Sequence, residues 1–158
     1  MIFTRFPEIT YCNKQMTDIT IRLKMVDLVK SNVSFAEPYY IEDNETIEDL
    51  SYKVYGSVNH YWVIALLNDV IDPVYDWVLN VEELREYVEN KYGVGNDIQI
   101  HHWELDGDIV PPFTLGAVAY TNFEYEEREN EKKREIKMIR PEYLPQLLNE
   151  AEDFIESL

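Results

Sequence analysis

Seven consecutive residues, Tyr61-Trp62-Val63-Ile64-Ala65-Leu66-Leu67, are apolar, and a helix apolar on every side must be covered on every side. No other stretch limits the fold as tightly. The segment before it carries its own helix signals. Thr46 offers a hydroxyl N-cap, Glu48 and Asp49 place acids in the first turn, and Gly56 stands where a left-handed stop is wanted. Ile47, Leu50 and Val54 line one face between those ends. Asn59 reads as the cap of the apolar helix, from about His60 to Leu67. Ahead of both helices, Pro38-Tyr39-Tyr40-Ile41 is a short β-prone run. A module this small leaves part of the apolar helix facing either another chain or the C-terminal region.

The flanking segments are read from period and punctuation. Residues 1 to about 16 form an extended arm in which Phe3, Phe6, Ile9 and Tyr11 share no helical period and Pro7 interrupts. Residues 19 to 30 fit two patterns: Ile19, Ile21, Leu23 and Met25 alternate as in a strand, while Leu23, Val26 and Lys30 follow a helical spacing, and a short helix from about Arg22 to Lys30 is favoured. Val81 to Lys91 is a third helix with Leu84, Tyr87 and Val88 on one face, broken by Gly93-Val94-Gly95-Asn96. Ile98 to Trp103 reads as a strand, Asp106-Gly107 as a turn, and Asp108-Ile109-Val110 as its partner strand, ended by Pro111-Pro112. Phe123 to Glu135 is almost wholly charged and is expected to be a solvated helix, with Glu124 facing Arg128 and Glu129 facing Lys133. Ile136 to Ile139 is a strand-like link. The last helix is amphipathic, with Leu144, Leu147, Leu148, Ala151, Ile155 and Leu158 on one face.

Charge narrows the partners. Fourteen Lys and Arg stand against 31 Asp and Glu, a formal net charge of −17. Such a chain is repelled by nucleic-acid phosphates and by anionic membrane surfaces, so neither is expected as a partner. No apolar run is long enough to span a bilayer, and the start lacks the pattern of a signal peptide. A soluble protein made inside a cell is therefore expected. Cys12 is the one cysteine, so no disulfide can close within the chain.

Catalytic and metal signatures are missing. His101 and His102 adjoin on an expected strand, which would send them to opposite faces. His60 and Cys12 have no partner at ligand spacing. Asp43, Asp69 and Asp72 lie in loops without the pattern of a calcium loop, and read as turn and capping carboxylates. No phosphate loop or nucleophile elbow is present. The expectation is a protein with no catalytic residues, no metal, no cofactor and no small-molecule substrate.

From Tyr40 to Trp77 the residues follow a recognisable order: Tyr40-Ile41, Thr46-Ile47 with Leu50, Val54-Tyr55-Gly56, Tyr61-Trp62-Val63-Ile64, then Asn68. This resembles a LysM module, a β-α-α-β fold. The longer pattern, adding Asp72-Pro73 and Trp77, looks more specifically like the LysM-bearing wedge subunit of contractile-phage baseplates, the wedge protein fifty-three family. Met1-Ile2-Phe3-Thr4 with Met16-Thr17-Asp18-Ile19 resembles that family's start. Glu129 to Ile139, followed by an amphipathic helix, resembles its end.

The resemblance implies a virion component of the tail baseplate, made in the host cytoplasm. It would join neighbouring wedge subunits around the hub by protein–protein packing. The rival reading is a LysM protein that binds peptidoglycan. Against it, Glu42-Asp43-Asn44-Glu45-Thr46 departs from the usual sugar-binding loop, and no closing strand follows Asp76-Trp77-Val78-Leu79. The expected class is α+β: a LysM-like β-α-α-β module over 38–80, an N-terminal arm and short helix over 1–37, and a hairpin-plus-helix extension over 81–158. Residues expected to define the module or its contacts are Tyr40, Tyr55, Gly56, Tyr61, Trp62, Asn68, Asp72, Pro73 and Trp77.

Overall fold

A computed structural model describes residues 7–18, 27–31 and 33–157. In chain order its elements are β1 Glu8–Tyr11, β2 Lys14–Thr17, β3 Ala36–Tyr40, α1 Ile47–Tyr55, α2 Tyr61–Leu67 and α3 Val81–Tyr92. There follow β4 Ile100–Leu105, β5 Asp108–Val110, β6 Val118–Thr121, α4 Asn122–Lys132, β7 Glu135–Ile139 and α5 Leu144–Glu156. Helix and sheet are mixed, as an α+β fold requires. The chain forms two compact units. The first draws on the stretches up to Ile41, from Glu45 to Asp76 and from Glu135 onward; the second on Glu42–Asn44 and Trp77–Arg134.

In the first unit, β3 and β7 pair antiparallel, with Pro38 opposite Lys137. Proline has no N–H to donate, so this pair sits where strand partners do not bond each other. The Lys137 amide and carbonyl therefore point away from β3. The strand-like link expected at 136–139 is thus a paired strand, and β3, α1, α2 and β7 together have β-α-α-β order. As expected, no strand directly follows Asp76-Trp77-Val78-Leu79; the strand that pairs with β3 comes only after residues 77–134. A strand whose partner lies about 100 residues earlier leaves no local sign of the pairing.

Both helix ends of α1 follow the sequence reading. The Thr46 side chain accepts the Asp49 N–H at 3.1 Å, and Gly56 closes the helix at φ 71°. The cap of the next helix does not. A 3-10 turn, Val58–His60, precedes α2, and the Ser57 hydroxyl rather than Asn59 accepts the orphan amide, which is that of Asn59 itself. Trp62, Val63, Leu66 and Leu67 are buried with Val29, Ile139, Leu144, Leu147 and Ala151. The C-terminal region, one of the two covers open to the apolar helix, packs on it. Leu148 and Ile155 of the expected α5 face pack against this cluster, joined by Phe154; Leu158 lies outside the described residues.

The arm expected to be extended is, over its described part, a hairpin. β1 and β2 pair with Ile9 opposite Met16 and Tyr11 opposite Lys14. Cys12 and Asn13, at φ 50° and 61°, make the two-residue turn, whose twist suits the strands. Phe3 and Phe6 fall outside the described residues, as does the start of the helix expected from Arg22. Residues 27–31 are helical, and Val29 there is fully buried.

In the second unit, Asn80 and Glu83 form a reciprocal capping box that opens α3. Leu84 and Val88 bury beside Leu79. The expected hairpin is present, turned by Asp106 and Gly107 at φ 52° and 93°. It does not end at the prolines: β6 adds to β4, giving the order β5-β4-β6.

The helix expected to be solvated, α4, is the main departure. Asn122, Glu126 and Asn130, four residues apart, are all buried. Asn130 accepts the Leu79 N–H at 2.9 Å and donates to the Leu79 carbonyl at 2.8 Å. Asn122 donates to the Asn96 carbonyl. Glu126 accepts from Lys91 at 2.7 Å and from the Tyr92 hydroxyl at 2.6 Å. A buried polar face of this kind is tolerable because each group has a partner. The expected surface pairs are also rearranged. Glu124 caps Thr121, Arg128 reaches Glu104 at 2.8 Å, and Glu129 bonds Lys132 rather than Lys133.

Candidate functional site

The residues singled out in the sequence divide into those that build the interior of one of the two units and those that face outward. Asn68 is the clearest builder. Its side chain donates to the Lys137 carbonyl at 2.8 Å and accepts the Lys137 N–H at 2.8 Å, while also donating to the Ile64 carbonyl at 2.9 Å. It therefore ties the end of α2 to the backbone groups that Pro38 turns outward from the sheet. The expected role, bonding backbone near the second helix, is met on a strand 69 residues away.

Tyr55 works the same edge. Its hydroxyl donates to the Ile139 carbonyl at 3.0 Å. Burial pushes its phenol well above the usual range, so it stays a donor at any physiological pH. Trp62 is 2% exposed and central to the core, and Tyr61 is half-buried against it. Gly56 supplies only the left-handed turn.

Trp77 belongs to the second unit. It is buried there, and its carbonyl accepts from Lys133. Tyr40, by contrast, is 55% exposed at the end of β3. Asp72 and Pro73 are exposed in the loop after α2. That loop is stiffened from within. Asp72 accepts from the Val74 and Tyr75 amides, and Asp76 accepts from the Ile71 and Asp72 amides at 2.8 Å each. The result displays Ile71, Val74 and Tyr75, all largely exposed, on an ordered backbone. Sequence reasoning passed over these three, although Asp72, Pro73 and Asp76 among them were a signal of a held loop with apolar tips.

The three loop aspartates behave as turn and pairing groups. Asp69 pairs with Lys30 at 2.6 Å, and Asp43 with Arg134 at 2.6 Å. Arg134 also bonds Glu131, at 2.8 Å. A groove in the second unit is lined by Asp43, Asn80, Glu82, Glu127, Asn130 and Arg134 among others, and Arg134 is its one basic lining residue. With that cation already held by two carboxylates, the groove has little to offer an anion.

The histidine pair corrects another expectation. A register shift in β4 between Ile100 and His102 breaks the regular alternation of faces. His101 and His102 consequently converge, with their Nδ1 atoms 2.9 Å apart. His101 stacks on Tyr125 and His102 on Tyr120. At that spacing one ring donates and the other accepts. Burial and the neighbouring His102 hold His101 below its ordinary value. Among the described residues, no group of three His, Cys, Asp or Glu is arranged to hold a metal ion, and no helix is long and apolar enough to cross a membrane.

The chain is similar to proteins of one kind. The profile of a family described as Base plate wedge protein 53 matches residues 1–111. A protein named baseplate wedge protein gp53, from Enterobacteria phage T4, is 26% identical over 183 aligned positions, spanning 95% of this chain and 93% of that relative.

Proposed function

The chain belongs to the Base plate wedge protein 53 family, and from that membership we propose that it is a structural, non-catalytic wedge component of a contractile-tail baseplate. It resides in the virion and joins neighbouring wedge and hub proteins by packing. The observation that carries this is the family match across residues 1–111, extended by a relative aligned along nearly the whole chain.

We read the β3-α1-α2-β7 arrangement as a LysM-like module whose second strand is delayed by an inserted unit. On this reading the module begun in residues 38–80 is completed by 135–139. Tyr55, Gly56, Trp62 and Asn68 define the module from inside. Tyr40, Asp72 and Pro73, with Ile71, Val74 and Tyr75, form the contact face toward partner chains. Aromatic and aliphatic side chains on an ordered backbone suit an interface, because little freedom is lost when they are covered.

Protein contact is favoured over peptidoglycan by the loop at 42–46. LysM resemblance would make it a sugar-binding loop, yet Asp43 there is engaged by Arg134. Mixing the purified chain with candidate wedge proteins and following co-elution by size exclusion tests the proposal. Stable co-elution is expected. Persistent separate elution, with retention on insoluble peptidoglycan competed by soluble glycan fragments, would replace it with the glycan reading.

A further inference from the structure

We propose that the loop between β5 and β6 is a docking tip, in which Phe113 and Leu115 enter an apolar pocket, rimmed by basic side chains, on a neighbouring baseplate protein. This rests on the wedge role above and names the chemistry of one partner. The loop lies beyond the family match, which ends at residue 111, so that match does not account for it.

The tip is built to hold apolar groups in water. Leu115 is 96% exposed and Phe113 85%. Phe113 also sits at φ 63°, a left-handed backbone disfavoured for a bulky L-residue because its Cβ crowds the following carbonyl. A chain that only needed a turn there would do better with glycine. The backbone is nonetheless fixed. Pro111 and Pro112 set two φ angles, the Thr114 amide and hydroxyl both bond the Pro111 carbonyl, and the Ala117 amide bonds the Thr114 carbonyl. The Phe113 ring leans on Trp103 with centroids 5.1 Å apart. Exposed Ile109 and Val118 flank the tip in sequence on the two strands it joins. Pre-ordered apolar anchors of this kind supply binding energy with little ordering cost.

Charge chooses the occupant. Glu104 is held by Arg128, and Glu126 is buried against Lys91, but Asp106 and Asp108 are exposed on the turn that leads into β5, and from residue 92 to 127 the sequence has no Lys or Arg. Exposed carboxylates next to an apolar tip repel anionic lipid headgroups and nucleic-acid phosphates. A second copy of this chain, itself at −17, is repelled as well. A protein pocket edged by Lys or Arg satisfies both the apolar and the charged features.

The test measures affinity of the full chain for purified wedge proteins. Leu115→Ser and Phe113→Ser/Leu115→Ser should weaken one partner's binding at least tenfold for the double variant, with far-ultraviolet circular dichroism unchanged. Phe113→Gly should weaken binding while leaving the thermal midpoint equal or higher, a combination that a merely structural role would not give. Asp106→Asn/Asp108→Asn should weaken binding severalfold, and added salt should weaken the wild type. Wild-type affinity in the double serine variant would overturn the tip while leaving the wedge role standing. Insensitivity to both the asparagine changes and salt would overturn the basic rim. A wild-type chain that joins no wedge protein would overturn the wedge role and the tip together.

Discussion

The first unit closes on hydrocarbon, with Trp62, Val63, Leu66, Ile139, Leu147 and Ala151 meeting side chain to side chain. The second keeps a small apolar cluster around Leu79, Leu84 and Val88, and turns Asn122, Glu126 and Asn130 of α4 inward. An apolar interior depends on shape and tolerates exchanges of similar volume. A polar interior depends on partners, and losing one strands the other. The two units should therefore fail in different ways when altered.

The largest effect is expected from Trp62→Ala, which empties the centre of the first unit and should cost about 3–5 kcal/mol. Urea unfolding followed by tyrosine and tryptophan fluorescence measures it. Substitution by Phe should recover much of the loss, whereas no recovery would mean that the indole is needed for more than volume. Next, Asn130→Ala leaves the buried Leu79 amide and carbonyl without partners, at about 2–4 kcal/mol. Asn130→Leu, close in volume, should be no better. If leucine restores stability, the second unit is an ordinary apolar core and the contrast drawn above collapses.

Asn68→Ala probes the same chemistry inside the hydrocarbon unit. It frees the Lys137 amide and carbonyl at a position water can reach, so about 1–2 kcal/mol is expected. Hydrogen exchange at the Lys137 amide should accelerate more than exchange in α2. Protection of that amide equal to wild type would show that Asn68 does not hold the strand.

The smallest effect concerns pH. His101 is held below its ordinary value of 6.5, so the unfolded chain binds its proton more readily than the folded one. Its contribution is whole above 6.5 and is lost as pH falls through the lower folded value. His60, lowered by burial alone, acts in the same direction in the first unit. Urea midpoints should drop as pH falls below 6.5, and His101→Gln should flatten the part that belongs to the second unit. A midpoint that rises on acidification would reverse the sign argued here.

Much of the first unit was readable because its signals are local. Thr46, Gly56 and the apolar run at 61–67 act within a turn or two of themselves, and the structure uses them as the pattern suggests. The exceptions are informative. Ser57 took the cap expected of Asn59 because a 3-10 turn shifted the first free amide. The pairing of β7 with β3 was invisible because the two strands lie far apart in the chain. In the second unit, a helix of carboxylates and amides looks solvated unless the four-residue spacing of Asn122, Glu126 and Asn130 is weighed against possible backbone partners. The convergence of His101 and His102 required a bulge that alternation cannot foresee.

Nine of the candidate residues were named from pattern and resemblance, and the structure brings several of them to one task without making a single site. Tyr55 and Asn68 meet β7, Trp62 lies beneath them in the core, and Trp77 sits in the other unit. Tyr40, Asp72 and Pro73 remain at the surface. Exposure separates the builders from the surface residues, and sequence carries little information about exposure for an aromatic ring.

The delayed return of β7 also sets a timetable for biosynthesis. A ribosome releases all of residues 77–134 before the partner of β3 emerges, and α5 emerges later still. During that interval Trp62 and its neighbours on α2 lack the cover they have in the finished protein, an exposure that invites chaperone capture or clumping of nascent chains. A released chain truncated after residue 134 should show a protease-sensitive first unit and a resistant second one.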